Sequence, residues 1–203
     1  MKTLIISYLP RIDVSNTKKV LDSFVVKIKG EVEYLDLLVE QPEFFSNKSI
    51  TAYQKRNYMG MNLDLEENKS MARMDKMTQQ FKSADLIVLA FPMHNFSMPA
   101  AVKAYFDSIL LKGETWDLDA SGYVGLLKGK KALVISSSGG QYSETLGTKG
   151  WDYVTSLTGT LLGFMGIDAE IVLAQGTSSH NHLDENLALA QDDVMAVANK
   201  WYS

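Results

Sequence analysis

The sequence predicts an α/β fold in which a mainly parallel β-sheet is flanked by helices. Short apolar runs alternate with longer amphipathic stretches along all 203 residues, which is the pattern of repeated strand–helix units. Three of the predicted strands end in loops rich in Ser, Asn, Gly and Pro. No internal repeat, low-complexity tract or linker-like segment interrupts the alternation. We therefore expect residues 1–203 to form a single domain.

The first half of the chain contains three predicted strands and two longer predicted helices. The strands cover residues 4–6, 32–37 and 85–91, and the helices cover residues 17–29 and 68–82. Residues 32–37 alternate between apolar and polar side chains, as an outer strand does, whereas residues 85–91 are almost uniformly apolar, which indicates burial on both faces. Residues 38–65 show no clear pattern apart from a short helix predicted around 49–57.

The second half contributes two more strands and completes the alternation. The strands cover residues 130–136 and 167–173, and the helices cover residues 99–111, 151–165 and 185–201. Pro99 suits the first turn of its helix, because the missing N–H of proline costs nothing there. Residues 113–127, which include Trp116, are expected to form an irregular excursion. The prediction is therefore five strands and about five helices.

The composition narrows the classes of function. The net charge is −4 with both signs spread along the chain, so no basic stripe of the kind that binds nucleic acid is present. The chain contains no cysteine, and its three histidines, His94, His180 and His182, show no metal-ligand spacing. No apolar run approaches the ~20 residues that span a bilayer. We therefore expect a cytoplasmic protein without a metal site, a nucleic-acid partner or a membrane anchor.

The loop after the first predicted strand ends in Ser15, Asn16 and Thr17 and leads directly into a helix. Hydroxyl and amide side chains beside the free backbone N–H groups of a helix N-terminus make a favourable seat for a phosphate. The same side chains are also common helix caps, and the loop alone does not distinguish the two roles. The segment matches neither a Walker A loop nor G-x-G-x-x-G, so a single terminal phosphate is favoured over a nucleoside triphosphate or a dinucleotide.

The loop after the central strand carries two prolines, Pro92 and Pro99, around a histidine, an asparagine and a phenylalanine. Because prolines restrict the loop, its backbone N–H and C=O groups can meet the polar edge of a flat heterocycle, while Phe and Met side chains supply apolar contact. His94 is the titratable side chain of this loop, and it is either a proton donor or an ordinary surface histidine.

The loop after the fourth predicted strand contains three serines followed by Gly139 and Gly140. Paired glycines allow close approach to a bound ring or a positive φ, and they also occur in ordinary flexible turns. A serine nucleophile is disfavoured, because the G-x-S-x-G pattern is missing. Ligands bind at the carboxyl ends of strands in open parallel sheets, so the three loops together predict one binding site.

Three segments carry a resemblance to a known enzyme family. PMHNFSMPAAVKAYFD at residues 92–107 is similar to the pattern P-M-x-N-F-x-x-P-x-x-L-K-x-Y-x-D. GLLKGKKALVISSSGGQY at residues 125–142 and LLGFMGI at residues 161–167 resemble a strand with its flavin loop and the segment before a last strand. These are patterns of the FMN-dependent NADH:quinone oxidoreductase and azoreductase family, which the chain resembles over nearly its whole length and most weakly over residues 38–65.

The resemblance implies a flavodoxin-like three-layer sandwich, with a five-stranded parallel sheet in the order 2-1-3-4-5 and helices on both faces. It also implies that FMN is bound and that its phosphate is held by Ser15, Asn16 and Thr17. The residues implied to surround the isoalloxazine and the ribityl chain are Met93, His94, Asn95, Phe96, Ser137, Ser138, Gly139 and Gly140. Family members are typically homodimers, in which an aromatic residue matching Phe164 reaches the flavin of the partner and contacts the substrate.

The activity that the resemblance implies is a ping-pong transfer of two electrons from NADH to a quinone or an aromatic azo compound. NADPH is an alternative donor, although no arginine-rich patch indicates recognition of its 2′-phosphate. FMN would carry the chemistry, so we assign no catalytic side chain. Backbone N–H groups of residues 93–96 would stabilise negative charge on the reduced ring.

Other functions remain open at this point. A flavin reductase, or an iron or chromate reductase of the same fold, would differ in the substrate that it turns over. An electron-carrying flavodoxin would serve a protein partner, although such carriers typically use a T-x-T-G-x-T phosphate loop that this chain lacks. An interaction module that has lost FMN would be colourless and could not be reconstituted.

The sequence also departs from the family pattern in three places. His94 stands where many relatives carry Tyr or Trp, and Leu9 replaces a polar residue that contacts the phosphate in some members. Residues 116–120 lack an aromatic residue that some relatives carry after Trp116. These departures bear on substrate preference rather than on FMN binding.

Overall fold

The computed structural model describes residues 1–179 and 181–203, which form seven β-strands and six α-helices. The strands are β1 (Lys2–Ser7), β2 (Glu31–Asp36), β3 (Leu86–Pro92), β4 (Trp116–Asp119), β5 (Gly122–Gly125), β6 (Lys131–Ser137) and β7 (Asp168–Ala174). The helices are α1 (Asn16–Val25), α2 (Asn47–Tyr53), α3 (Leu65–Ser83), α4 (Ala100–Ile109), α5 (Tyr153–Phe164) and α6 (Leu183–Tyr202). One predicted polar-loop residue, His180, lies outside the described residues.

Five of the strands form one parallel sheet in the order β2-β1-β3-β6-β7. The sheet contains the five predicted strands, so the expected order 2-1-3-4-5 is confirmed, and β2 is an outer strand as its alternating pattern indicated. From β1 the chain first adds β2 on one side and then β3 on the other. The order of the strands therefore reverses between β1 and β3, which in open parallel sheets opens a crevice at the carboxyl edge.

Alternate side chains of each strand enter two separate hydrophobic clusters, one on each face of the sheet. On β1, Ile5 packs with Val20 and Phe24 of α1 and with α6, whereas Leu4 and Ile6 pack with α3, α4 and α5 on the opposite face. Because side chains of a strand alternate between faces, a fully apolar run satisfies both layers at once. Within the described ranges, no helix is long and apolar enough to cross a bilayer.

Two sequence predictions require correction. Residues 113–127 contain a regular antiparallel hairpin, β4–β5, with Asp119 paired to Gly122. Its two-residue turn is stabilised locally, since the carboxylate of Asp119 accepts a hydrogen bond of 2.7 Å from the amide of Ser121. Helix α1 ends at Val25 rather than at residue 29, because two consecutive β-branched residues are poor helix formers and the chain must turn before β2.

Residues 38–65, which carried no clear pattern, are held against α3 by polar contacts. The short helix predicted around 49–57 is present as α2 and continues into one turn of π-helix, Gln54–Tyr58. Arg56 in that turn forms two parallel hydrogen bonds of 2.8 Å with the carboxylate of Asp75 in α3. Burial raises the pKa of the Tyr53 hydroxyl, which accepts a hydrogen bond from the amide of Lys112 at 2.8 Å.

Candidate functional site

A cavity of about 270 Å³ lies at the carboxyl ends of β1, β3, β6 and β7, next to the reversal of the strand order. Loops that follow four strands form its lining, and three of them are the loops that the sequence predicted to meet. The lining residues are Pro10, Arg11, Val14, Ser15, Asn16, Pro92, Met93, His94, Ser137, Gly139, Thr177 and Ser178. The cavity therefore stands where ligands bind in parallel sheets of this kind.

One side of the cavity is the helix wall, which we define as residues 10–17. Ser15 is the N-cap of α1, and its hydroxyl accepts a hydrogen bond of 3.1 Å from the amide of Lys18. The amide N–H groups of Asn16 and Thr17 have no hydrogen-bond acceptor among the described residues. Ser15 can therefore cap α1 while the same helix end binds a phosphate, because the capped turn leaves two N–H groups directed out of the helix end.

Thr17 takes a different place from its two neighbours. Its side chain is fully buried, and its hydroxyl forms a hydrogen bond of 2.7 Å with the hydroxyl of Ser137. Of the three residues predicted to hold a phosphate, Ser15 and Asn16 line the cavity, whereas Thr17 offers only its backbone N–H. The hydroxyl pair ties the helix wall to the end of β6.

A second part of the lining belongs to the turn wall, which we define as residues 92–97. His94 and Ser97 exchange two backbone hydrogen bonds of 2.9 and 3.0 Å, and they close a tight turn with Asn95 and Phe96 at its centre. These two residues have φ angles of 47° and 71°, and they are the non-glycine residues with positive φ in the part of the chain described. Positive φ at both central positions is the pattern of a type I′ turn, in which a bulky side chain is strained.

The predicted residues of the turn wall divide into two groups. Met93 and His94 line the cavity, whereas Asn95 and Phe96 lie beyond its lining at the tip of the turn. The exposed ring of Phe96 makes edge contacts with the rings of Tyr142, at 6.3 Å, and Trp151, at 5.7 Å between centroids. The tip of the turn therefore carries an aromatic cluster at the margin of the cavity.

The third predicted loop, residues 136–142, supplies Ser137 and Gly139 to the lining. The hydroxyl of Ser138 instead donates a hydrogen bond of 2.9 Å to the carbonyl of Gly140, which holds the loop closed. Neither glycine has a positive φ, so of the two special roles that the sequence allowed for this pair, only close approach remains. At Gly139 the reason for glycine is close approach, because a Cβ atom there would collide with the hydroxyl of Ser178.

A fourth loop, which follows β7 and was not predicted from the sequence, also lines the cavity. The amide and the hydroxyl of Thr177 both donate hydrogen bonds of 3.0 Å to the carbonyl of Ser138, and Ser178 also lines the cavity. A signal was present, because a Gly-Thr-Ser-Ser segment follows the last strand at the same edge of the sheet. Arg11 was also missed, since an isolated arginine in a loop has no motif around it.

Phe164 lies away from the cavity in a single chain. It is the last residue of α5, whose first residue adjoins the turn wall through a hydrogen bond of 3.0 Å from the amide of Tyr153 to the carbonyl of Phe96. Twelve helical residues separate these ends by about 18 Å. Phe164 packs instead on Trp116 and Tyr123 of the hairpin, with centroid distances of 5.2 and 5.4 Å.

One strongly basic side chain contributes to the site. Among the described residues that line the cavity, Arg11 is the only Arg or Lys, and none is a carboxylate. No group of three or more His, Cys, Asp or Glu side chains that could hold a metal is found in residues 1–179 and 181–203. The cavity thus combines one cation, helix N–H groups, hydroxyls and apolar contact, which suits a flat ligand with an anionic tail.

Comparisons with known proteins agree with this geometry. A family model described as flavodoxin-like fold matches residues 1–197. The chain is 35% identical over 187 residues to an FMN-dependent NADH:quinone oxidoreductase 1 of Bacillus anthracis, covering 87% of this chain and 84% of that one. It is 31% identical to the FMN-dependent NADH:quinone oxidoreductase of Azospirillum brasilense, covering 98% of both chains.

A solved structure supports the same relationship. The FMN-dependent NADH-azoreductase from Bacillus anthracis str. Ames Ancestor, in complex with FMN, superposes over the full length of both chains with a TM-score of 0.86 and 33% identity. The chain therefore belongs to the flavodoxin-like fold family and, within it, to the FMN-dependent NADH:quinone oxidoreductases.

Proposed function

We propose that this protein is an FMN-dependent oxidoreductase that passes two electrons from NADH to a quinone or an aromatic azo compound in a ping-pong reaction. The observation that carries the proposal is the meeting, in one cavity, of a capped helix N-terminus with a strained turn at the reversal of the strand order. Relatives that are named for activities of this kind support the assignment. Residues 1–203 would act as a single domain.

The helix wall fits the phosphate of FMN. The free N–H groups of Asn16 and Thr17 lie at the positive end of the dipole of α1, and the hydroxyl of Ser15 stands beside them. Backbone N–H groups at a helix end and a nearby hydroxyl are the donors that phosphate oxygens prefer. We therefore assign the phosphate to Ser15, Asn16 and the backbone of Thr17.

The turn wall and the serine loop fit the flavin ring and its ribityl chain. The amide N–H groups of Asn95 and Phe96 have no hydrogen-bond acceptor within the described ranges, so they are available to the polar edge of a ring. Met93 offers apolar contact. We propose that Met93, His94, Asn95 and Phe96 meet the ring, and that the serine loop meets the ring and the chain through Ser137, Ser138, Gly139 and Gly140.

When bound, FMN would supply the acceptance of a hydride from the nicotinamide and its delivery to the acceptor. The protein would orient both substrates at one cavity, so that the oxidised nicotinamide leaves before the acceptor enters. The N–H groups of the turn wall would stabilise negative charge that develops at the polar edge of the ring. His94 lines the cavity, its ring meets that of Tyr8 edge-on at 5.9 Å, and we propose that it moves a proton there.

We also propose a homodimer in which each chain contributes to both sites. The support is the position of Phe164 at the end of α5 remote from the turn wall, about 18 Å along the helix, in an aromatic cluster whose Tyr123 is 69% exposed. In the dimer, Phe164 of one chain would reach the cavity of the other chain. Light scattering at micromolar concentration should give the mass of two chains, and Phe164→Ala should impair acceptor reduction more than FMN binding.

The first experiment is the visible absorbance of the protein mixed with FMN, before and after anaerobic addition of NADH. We expect a bound flavin spectrum that bleaches with NADH and recovers when a quinone such as menadione is added. Ferric and chromate salts, tested as acceptors beside the quinone and an azo dye, separate the alternative reductases from the proposed enzyme.

The outcomes are distinct. A folded protein that binds no flavin would overturn the proposed function and favour an interaction module. Flavin that bleaches but is reoxidised only by a protein partner would favour an electron carrier. A pH–rate profile that is the same in His94→Ala as in the unmodified enzyme would remove His94 from proton transfer.

A further inference from the structure

Arg11 occupies a position in the cavity that no motif of the sequence explains. It belongs to the helix wall, and its side chain lines the cavity together with Ser15 and Asn16. The residue itself is exposed, so its guanidinium is hydrated and can reorient toward a ligand. An arginine at the edge of a cavity whose lining contains no carboxylate needs either a structural partner or a ligand.

No structural partner is present among residues 1–179 and 181–203. No carboxylate lies within 4.0 Å of Arg11, and its side chain makes no hydrogen bond to the described part of the chain. Asp13, two residues away, lines a separate depression outside the cavity. The guanidinium therefore contributes its charge to the cavity without being neutralised there.

The neighbouring cations behave differently. Lys18 forms an ion pair of 2.6 Å with Asp22, one turn further along α1. Lys19 donates a hydrogen bond of 3.4 Å to the side chain of Asn16 and does not line the cavity. Of the three basic residues near the start of α1, Arg11 is thus the one that faces the cavity.

The chemistry of this pairing points to a phosphate. A guanidinium presents parallel N–H donors that match two oxygens of one phosphate group, and it is always charged. The free N–H groups of Asn16 and Thr17 approach the same region from the helix end. A group with two negative charges needs more compensation than a helix dipole of about half a charge provides, and Arg11 adds one full positive charge.

We propose that Arg11 is the counter-charge for the terminal phosphate of the bound flavin nucleotide, and that it makes the site selective for FMN over riboflavin. This inference rests on the proposed function. It adds to that function a side chain that decides which form of the flavin is retained. The residue binds and positions the cofactor and takes no part in electron transfer.

The test is a titration of flavin-free protein with FMN and, separately, with riboflavin, followed by quenching of flavin fluorescence. Arg11→Met is expected to weaken FMN binding by about 10- to 100-fold, which is the range for a hydrogen bond to a charged group. Riboflavin binding should change by less than about twofold, because riboflavin lacks the phosphate. Raising the salt concentration should weaken FMN binding less steeply in the variant than in the unmodified protein.

Lys18→Met is the matched control. Like Arg11→Met, it removes one positive charge within a few residues of Ser15. The Lys18 side chain, however, is already paired with Asp22 and does not line the cavity. We expect it to leave both affinities within about twofold. Arg11→Lys retains the charge without the parallel donors and should give an intermediate FMN affinity.

The two proposals fail in different ways. If the unmodified protein binds FMN but Arg11→Met binds it equally well, the role of Arg11 is wrong and the enzyme assignment stands. Equal losses for FMN and riboflavin in Arg11→Met also contradict the proposal, because they indicate damage to the ring site. If the unmodified protein binds neither flavin, the proposed function itself is overturned, and the role of Arg11 falls with it.

Discussion

The two walls of the cavity are built in opposite ways. The helix wall ends in an ordinary capped helix, where Ser15 satisfies the amide of Lys18 and leaves the next donors free at no cost in backbone strain. The turn wall places Asn95 and Phe96 at φ angles of 47° and 71°, which cost side-chain-bearing residues about 1–2 kcal/mol each, less for asparagine. One wall is relaxed, and the other stores strain.

The difference follows from what each wall must present. A helix end exposes N–H groups automatically, because its first turn has no partners for them. A loop exposes adjacent N–H groups only when its backbone adopts an unusual conformation, and the surroundings must then hold it there. Here the amide of Tyr153 donates a hydrogen bond of 3.0 Å to the carbonyl of Phe96, and Tyr142 and Trp151 make edge contacts with the Phe96 ring.

The largest expected effect comes from placing a negative charge on the relaxed wall. Aspartate caps helices as well as serine does, so Ser15→Asp should change the free energy of unfolding of flavin-free protein by less than about 0.5 kcal/mol. The same carboxylate would repel the phosphate, and we expect FMN affinity to fall at least about 100-fold. Urea unfolding and a fluorescence titration measure the two quantities separately.

Ser46→Asp is the control for this prediction. Ser46 is also a serine N-cap, at the start of α2, and it does not line the cavity. Stability should be as little affected as in Ser15→Asp, and FMN affinity should be unchanged. If both variants bind FMN normally, the phosphate does not sit on the helix wall.

The relaxed wall was also the more predictable one. A helix start is predicted by the residue types of Ser15, Asn16 and Thr17 alone. The almost uniformly apolar run at residues 85–91 likewise predicted the central strand. The sheet order came from a resemblance rather than from periodicity, since local patterns say which residues form strands but not which strands are neighbours. Local sequence patterns were therefore enough to predict the strands of the parallel sheet, the helices and the N-cap of α1.

What the sequence could not predict depends on contacts between distant segments. The residue types of Asn95 and Phe96 do not predict two consecutive positive φ angles, because a type I′ turn usually carries glycine at its second central position. The Gly-Thr-Ser-Ser segment after the last strand hinted at a fourth loop, but the role of Thr177 comes from hydrogen bonds to Ser138, 39 residues earlier. The hairpin at 116–125 was missed because its turn, Ala120-Ser121, lacks the usual Gly or Asn.

The second prediction concerns the residue that joins the two walls. Ser137 contacts both, since its hydroxyl bonds Thr17 at 2.7 Å and its carbonyl accepts a hydrogen bond of 2.8 Å from the amide of Met93. Thr17→Val keeps the shape of the side chain but leaves the buried Ser137 hydroxyl without its partner. We expect a loss of about 1–3 kcal/mol in the free energy of unfolding, with weaker FMN binding.

A double-mutant cycle and a distant control test this interpretation. Thr17→Val combined with Ser137→Ala should be less destabilised than the sum of the single variants, because the unpaired hydroxyl is removed. Thr3→Val breaks a similar buried bond of 2.7 Å, to Tyr202, away from the cavity. It should lower stability without changing FMN affinity. Additive losses in the cycle would contradict a coupling between Thr17 and Ser137.

The smallest expected effect isolates the strain of the turn wall. Phe96→Gly and Phe96→Ala both remove the ring, but only glycine adopts a φ of 71° without a steric penalty. We therefore expect the glycine variant to be more stable than the alanine variant by about 1 kcal/mol in urea unfolding of flavin-free protein. This order reverses the usual preference for alanine over glycine.

Trp151 provides the comparison for that reversal, since it is an exposed partner of Phe96 with a φ outside the left-handed region. Trp151→Ala should be more stable than Trp151→Gly, because at an ordinary φ glycine adds only entropy to the unfolded chain. If alanine is preferred at both positions, the turn wall carries no strain and its exposed N–H groups need another explanation. A reversal at position 96 alone places the stored strain in the turn wall and leaves the helix wall relaxed.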